Sequence, residues 1–446
     1  MFLGNVDIAV VNVAIPSIRD RLHATGSELE LIVSGYTLAY AMLLITGARL
    51  GEIRGRRWTY LLGLVVFTAS SLACGLAPGG SALVGARVVQ GVGAALMVSQ
   101  VLTSIQVNFE GAARRRALGA YTGVLGVSSV IGQALGGVLV SADILGTGWR
   151  PIFLINVPIG IGLLIAASVF IPNDRGTRKK KLDLRGVGLL SLALFLLVTP
   201  LVMGQDAGWA PWTWACLAGS LPVFALFAVV ERGVAKRGGD PLMNVGLLAR
   251  GPVALALVSQ AATRAGYFAL LFVLALYLQQ GLGKSAVYAG LVPIAWVATF
   301  ALVGPLLGRA GPRARRSAAP LGGLLMAIAF AAMAAGATST GWLVVLLGIG
   351  GIGYGAAFSG TLAHLTEAVE ARYAPDVSGL FNTTLQVGGT MGVAVFGTVY
   401  LGLAEPGTTP QDAFSTTNAA LAVVSVAACA LILLAGRAQS APARTH

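Results

Sequence analysis

Apolar positions in this chain gather into long unbroken blocks, set apart by short polar connectors. A helix crossing hydrocarbon needs about 17–25 largely apolar residues. Windows of that kind fall near 1–18, 31–50, 58–77, 81–106, 117–141, 151–172, 186–203, 212–231, 251–279, 286–308, 318–338, 341–363, 377–403 and 415–436. With no water in the bilayer core to satisfy backbone groups, each window is expected to be a helix that closes its own hydrogen bonds. The pattern predicts an all-α integral membrane fold of fourteen transmembrane helices: two six-helix bundles and a central inserted pair at 186–203 and 212–231. An even count puts both termini on one side.

Composition agrees with this reading. At 56% hydrophobic and 11% charged residues, the 446-residue chain could not cover a water-facing surface. Sixty glycines suit helices that approach closely in lipid, where packing relies on small residues. The net charge of +13 raises nucleic acid as a partner, but the basic residues form no stripe or domain. Twenty-four of the thirty Lys and Arg residues fall in seven segments, at 49–57, 114–116, 175–185, 232–250, 309–316, 372 and 437–444. The opposite loops hold Arg19, Arg21, Arg150 and Lys284. The positive-inside rule then sets the N- and C-termini in the cytoplasm of a multi-pass cell-membrane protein.

Residues 173–185, NDRGTRKKKLDLR, form the clearest composition break, and the 231–250 connector is the second. The expected organisation is an N-terminal bundle over 1–172, a linker with the central pair over 173–250, a C-terminal bundle over 251–436 and a cytoplasmic tail over 437–446. ARLGEIRGRR at 48–57 is echoed by GPLLGRAGPR at 304–313, at equivalent places in the two bundles. Parallel repeats of this kind build the halves of many secondary transporters. The opening MFLGNVD lacks the basic region of a cleavable signal. The missing cytoplasmic basic anchor also suggests that the gene begins upstream of Met1.

Longer motifs point to a family. Asp7 precedes VVNVAIPSI at 10–18, GARLGEIRGRR spans 47–57, RVVQGVGAALMVSQ spans 87–100, and GQALGG spans 132–137. WRPIFLINVPIG at 149–160 and DVSGLFNTTLQVGGTMGVAVFGT at 376–398 are longer still. Together they resemble the fourteen-span drug:proton antiporters (EmrB/QacA-type) of the major facilitator superfamily over nearly the whole chain. Departures are Glu52 for Asp, Ala48 for Gly, Ile53 for Arg, Ser99 for Pro and Gln133 for Pro.

The resemblance implies proton-coupled efflux of small amphipathic organic compounds such as drugs or antibiotics, by alternating access. It also implies that Arg87 tunes a proton-carrying Asp7. Glu52, with Arg54, Arg56 and Arg57, becomes a cytoplasmic latch, its carboxylate near the start of the thirteenth span at Ser378 and Gly379. No cofactor is expected beyond the proton gradient, and no obligate protein partner is readable. An exporter of an endogenous metabolite or an uptake symporter fits the same fold.

Residue chemistry stands beside that resemblance. A carboxylate in hydrocarbon costs about 2.5–3.5 kcal/mol on insertion scales, so Asp7 needs a role such as proton binding or a route to the membrane surface. Arg87 either hydrogen-bonds inward or snorkels, and Gln90 lies one turn further on its face. Arg264 sits midway along the ninth span beside Gln260 and Tyr267, facing either an anionic substrate group or a carboxylate of the chain. Asn382 and Gln386 at i and i+4 either line a substrate cavity or bridge helices, and Tyr36, Tyr40 and Tyr267 are cavity or packing candidates. Gly132, Gln133, Gly136 and Gly137 are expected to pack the fifth span closely against a neighbour.

Other functions are less well served. The GKS at 283–285 lacks the upstream glycine of a phosphate loop, Leu278 standing in its place. No pore loop recurs, Cys74, Cys216 and Cys429 have no ligand spacing, and no metal or catalytic site is expected.

Overall fold

The computed structural model describes residues 2–142, 146–172, 182–204, 207–284, 286–336, 339–370, 373–403 and 408–440. Residues 173–181 of the basic linker, Arg372 and Arg444 lie outside the described residues, as do the side chain of Gln133 and the surroundings of Gly137.

Among the described residues the chain forms sixteen α-helices. The first seven are α1 (Phe2–Leu22), α2 (Gly26–Arg54), α3 (Arg56–Gly75), α4 (Gly80–Asn108), α5 (Gly111–Ser141), α6 (Pro151–Leu154) and α7 (Asn156–Phe170). The central pair is α8 (Leu184–Met203) and α9 (Pro211–Lys236). Then follow α10 (Gly251–Leu276), α11 (Ala286–Leu291), α12 (Ile294–Arg309), α13 (Pro312–Ala334), α14 (Thr340–Ala368), α15 (Ala374–Leu403) and α16 (Pro410–Ser440). Two expected helices are interrupted, because proline has no N–H for the carbonyl four residues back. Pro158 and Pro293 are those prolines, beside the breaks at Ile155 and at Val292–Pro293.

Twelve helical stretches among the described residues are long and apolar enough to cross a membrane. The pairs α6–α7 and α11–α12 each count as one stretch. The count expected from sequence was fourteen. The expected spans on α1 and α5 are not among the twelve, and both helices include side chains outside the described residues.

Local signals set several helix ends. Thr25 and Glu28 form a reciprocal capping box at the start of α2. Asp183 caps α8, accepting from the amides of Arg185 and Gly186 at 3.0 Å each. Only Gly55 separates α2 from α3, at φ 99°, a backbone conformation that favours glycine.

The chain divides into two compact units, one of Met1–Asn108, Ser128–Val245 and Arg372–Thr383, the other of Phe109–Val127, Gly246–Ala371 and Thr384–His446. In the first, α4 packs against α2 and α3, α7 against α3, and the central pair joins through α8 on α2. In the second, α13 and α14 pack together, α12 lies on α14, and α16 lies on α10 and α13. Glycines set these approaches. A Cβ added at Gly91 would lie 2.4 Å from the Tyr36 carbonyl oxygen, and one at Gly322 would lie 2.3 Å from the Ala357 nitrogen.

Candidate functional site

Four helices of the first unit bring a polar cluster into an apolar interior. Asp7 comes from α1, Ser71 from α3, Arg87 and Gln90 from successive turns of α4, and Asn156 from the start of α7. All are buried, with Asp7 2% and Arg87 1% exposed. Arg87 forms an ion pair with Asp7 through Nη1 and Oδ2. The same Nη1 donates to Gln90 Oε1 at 2.7 Å, and Nε donates to the Ile32 carbonyl at 2.9 Å. The other carboxylate oxygen, Oδ1, accepts from Gln90 Nε2 at 2.9 Å and from Asn156 Nδ2 at 3.1 Å. Ser71 Oγ accepts from both amides, at 3.1 and 3.0 Å, and donates to the Phe153 carbonyl at 3.0 Å.

Rings close the cluster. The Arg87 guanidinium lies 4.3 Å from the centroid of Tyr36 and 5.7 Å from that of Phe153. Tyr36 donates its hydroxyl to the Gly4 carbonyl at 3.3 Å, tying α2 to the first turn of α1. The arrangement holds one carboxylate and one guanidinium out of water, each neutralised by the other and by fixed dipoles.

The sequence-predicted residues distribute unevenly around this cluster. Gln90 and Tyr36, expected to line a cavity, are buried in it, and the half-buried Tyr40 stacks on Tyr36 at 6.1 Å. Glu52 lies inside the last turn of α2 and is ion-paired with Arg49. Ser378, expected near that carboxylate, donates to the Ser99 carbonyl at 3.0 Å, and Gly379 abuts Ile45. Arg54 lies over the Trp58 ring, Arg57 donates to the Ser168 carbonyl, and Arg56 opens α3. Asn382 is buried and donates to the Ser378 carbonyl on its own helix at 2.8 Å. Gly132 and Gly136 are buried in α5.

The second unit holds a different arrangement. Arg264, half-buried on α10, donates to the Tyr354 hydroxyl at 2.8 Å and lies 4.4 Å over the Phe268 ring. Tyr267 stacks on Tyr354 at 4.7 Å and on Trp296 at 5.8 Å. Gln260, one turn before Arg264, is fully buried with neither end of its amide partnered. Gln386 is half-buried further along α15. A separate cavity of about 180 Å³ is lined by Arg114, Arg115, Thr122, Gly304, Arg315 and Glu367, among others.

Sequence reasoning missed Ser71, Asn156 and the role of Phe153. Asn156 stands 149 residues from its carboxylate partner, so no periodicity could join them. Its available signal was a lone amide inside WRPIFLINVPIG, an otherwise apolar run.

Comparison with known proteins places this geometry. A family profile described as the Major Facilitator Superfamily matches residues 1–393 and again 256–444. The chain belongs to that superfamily. Among curated members of the superfamily, it is 36% identical over 408 residues to the probable actinorhodin transporter of Streptomyces coelicolor, covering 89% of this chain and 70% of that one. It is 33% identical over 404 residues to the tetracenomycin C resistance and export protein of Streptomyces glaucescens, covering 88% and 72%. It is 35% identical over 412 residues to the cephamycin export protein of Amycolatopsis lactamdurans, covering 89% and 82%. The superfamily fold also appears in the similarity to the crystal structure of the human organic anion transporter MFSD10 (TETRAN), with TM-score 0.64 at 16% identity, covering 96% of this chain and 97% of that one. The chain is thus a multi-pass, all-helical member of a transporter superfamily.

Proposed function

We propose that this superfamily member is an efflux protein that exchanges protons for small amphipathic organic compounds across the cell membrane. The observation that carries the reading is the buried Asp7–Arg87 pair, a titratable carboxylate held among helices apolar enough to cross lipid. Intramembrane ionisable residues are costly and mark proton or substrate pathways. The names of the relatives, antibiotic transporters and export proteins, support the direction and the class of cargo.

In this reading α1 and α5 also cross the bilayer, giving fourteen spans in a six-two-six plan with both termini cytoplasmic. The burial of Asp7 and of Val6, Val10 and Val11 around it supports a protein-enclosed α1. Asp7 accepts a proton from outside, Arg87 relaxes, and the substrate site opens alternately to each side. Glu52 and its basic neighbours at 54, 56 and 57 stabilise one of the two states. Arg264, Tyr267, Tyr40, Asn382 and Gln386 are the candidates for substrate contact. The energy source is the proton gradient alone, and one chain suffices.

Everted membrane vesicles test this. A fluorescent amphipathic compound should accumulate when an inward-acid gradient is imposed and should leak out when a protonophore collapses it. Accumulation driven by ATP without a gradient, or movement of substrate in the same direction as the proton, would overturn the reading.

A further inference from the structure

Arg87 on α4 and Arg264 on α10 both lie within apolar helical stretches, and they are provided for very differently. A guanidinium has five N–H donors and no acceptor, and it stays charged in practice. Arg87 is matched by a carboxylate, an amide oxygen and a backbone carbonyl. Arg264 lies midway along α10 and makes a single hydrogen bond among the described residues, from Nη1 to a neutral tyrosine hydroxyl. No carboxylate of the described residues pairs with it. Its Nε is shielded from solvent and unpartnered, and Nη2 likewise has no partner among the described residues. The Nε–Nη2 edge is the one a carboxylate spans with two parallel hydrogen bonds.

The surroundings repeat the pattern. Gln260, one turn earlier on the same helix face, is fully buried with Nε2 and Oε1 both unpartnered, and the indole N–H of the buried Trp296 is unpartnered as well. Buried polar groups are nearly always satisfied, so an unpartnered amide on the same helix face and an unpartnered indole N–H in the ring stack that holds Tyr354 need a reason. The wall behind them is aromatic: Phe268 under the guanidinium, and Tyr267 between Tyr354 and Trp296. Aromatic faces stabilise the cation but supply no counter-charge.

We infer that Arg264 is the substrate-selecting residue of this protein, and that the preferred cargo is a planar aromatic compound bearing a carboxylate, which pairs with the free guanidinium edge. The inference rests on the efflux reading above and gives its substrate a charge. Tyr354 acts as a positioning residue, holding Nη1 so that the Nε–Nη2 edge faces the ligand. Gln260 stands one turn along the same face, within the group that a second polar substituent would meet.

Binding to the purified full chain tests this independently of proton coupling, with anthracene-2-carboxylate and its methyl ester as probes read by ligand fluorescence. The acid should bind about tenfold more tightly than the ester, as a charge-assisted pair is worth at least one decade of affinity. Arg264→Gln should bring the acid down to the ester's affinity while leaving the ester within about twofold of the parent, and Arg264→Lys should restore part of the preference. No preference for the acid in the parent protein, or an equal loss of both probes in Arg264→Gln, would overturn the inference. Should Arg264→Gln fail to fold, Tyr354→Phe serves. It should lower the acid preference about threefold with ester binding unchanged, and an unaltered preference counts against the inference. Arg264-dependent binding of the acid in a protein that shows no gradient-driven transport would instead sink the efflux reading and leave this one standing.

Discussion

At the scale of single residues, the Asp7 cluster shows why a buried ion pair constrains more than it stabilises. Removing one member leaves the other charged and buried, which typically costs about 3–5 kcal/mol, whereas replacing both with neutral groups costs less. Arg87→Gln should therefore destabilise the purified protein more than the double variant Asp7→Asn/Arg87→Gln, measured by thermal unfolding followed by circular dichroism. Equal losses, or a stable Arg87→Gln, would mean that the pair is not held as described. Asp7 and Arg87 were legible in sequence because charge in an apolar window is conspicuous. Ser71 and Asn156 were not, because a hydroxyl or amide in such a window is ordinary. Only the fold shows that Asn156 reaches Asp7 Oδ1 at 3.1 Å.

Helices are the scale at which sequence spoke most clearly. The apolar windows fall on helices, since in lipid a helix is the only local answer to backbone satisfaction. Helix breaks were less visible: Pro158 and Pro293 lie in windows that read as continuous, yet each stands beside an interruption. Close glycine approaches are seen at Gly47, Gly91, Gly322 and Gly353. A Cβ at Gly47 would lie 2.8 Å from the Ala95 carbonyl oxygen, and one at Gly308 would lie 3.0 Å from the Arg115 carbonyl oxygen. On α4, Gly91 and Gly85 make a controlled comparison, since a Cβ at Gly85 meets nothing within 4 Å. Gly91→Ala should cost about 1–3 kcal/mol by forcing α2 and α4 apart, and Gly85→Ala should be neutral or slightly stabilising. Equal melting temperatures for the two would contradict the packing account.

For the molecule as a whole, the superfamily was readable from long motifs and from the placement of basic residues, and the family profile bears it out. Fourteen crossings, the cytoplasmic termini and the coupling ion remain proposals that join the residue-scale cluster to a transport cycle. The proposed coupling requires that Asp7 bind and release a proton in each cycle. Asp7→Asn keeps the size of the side chain and removes its charge, while one acceptor oxygen becomes a donor, so transport is compared at equal amounts of folded protein. The decisive measurement is gradient-driven substrate accumulation in vesicles carrying equal amounts of parent and Asp7→Asn protein. The account predicts accumulation falling to the level of empty vesicles, with substrate binding retained. Accumulation in Asp7→Asn vesicles that still follows the imposed pH gradient at the parent rate would contradict it.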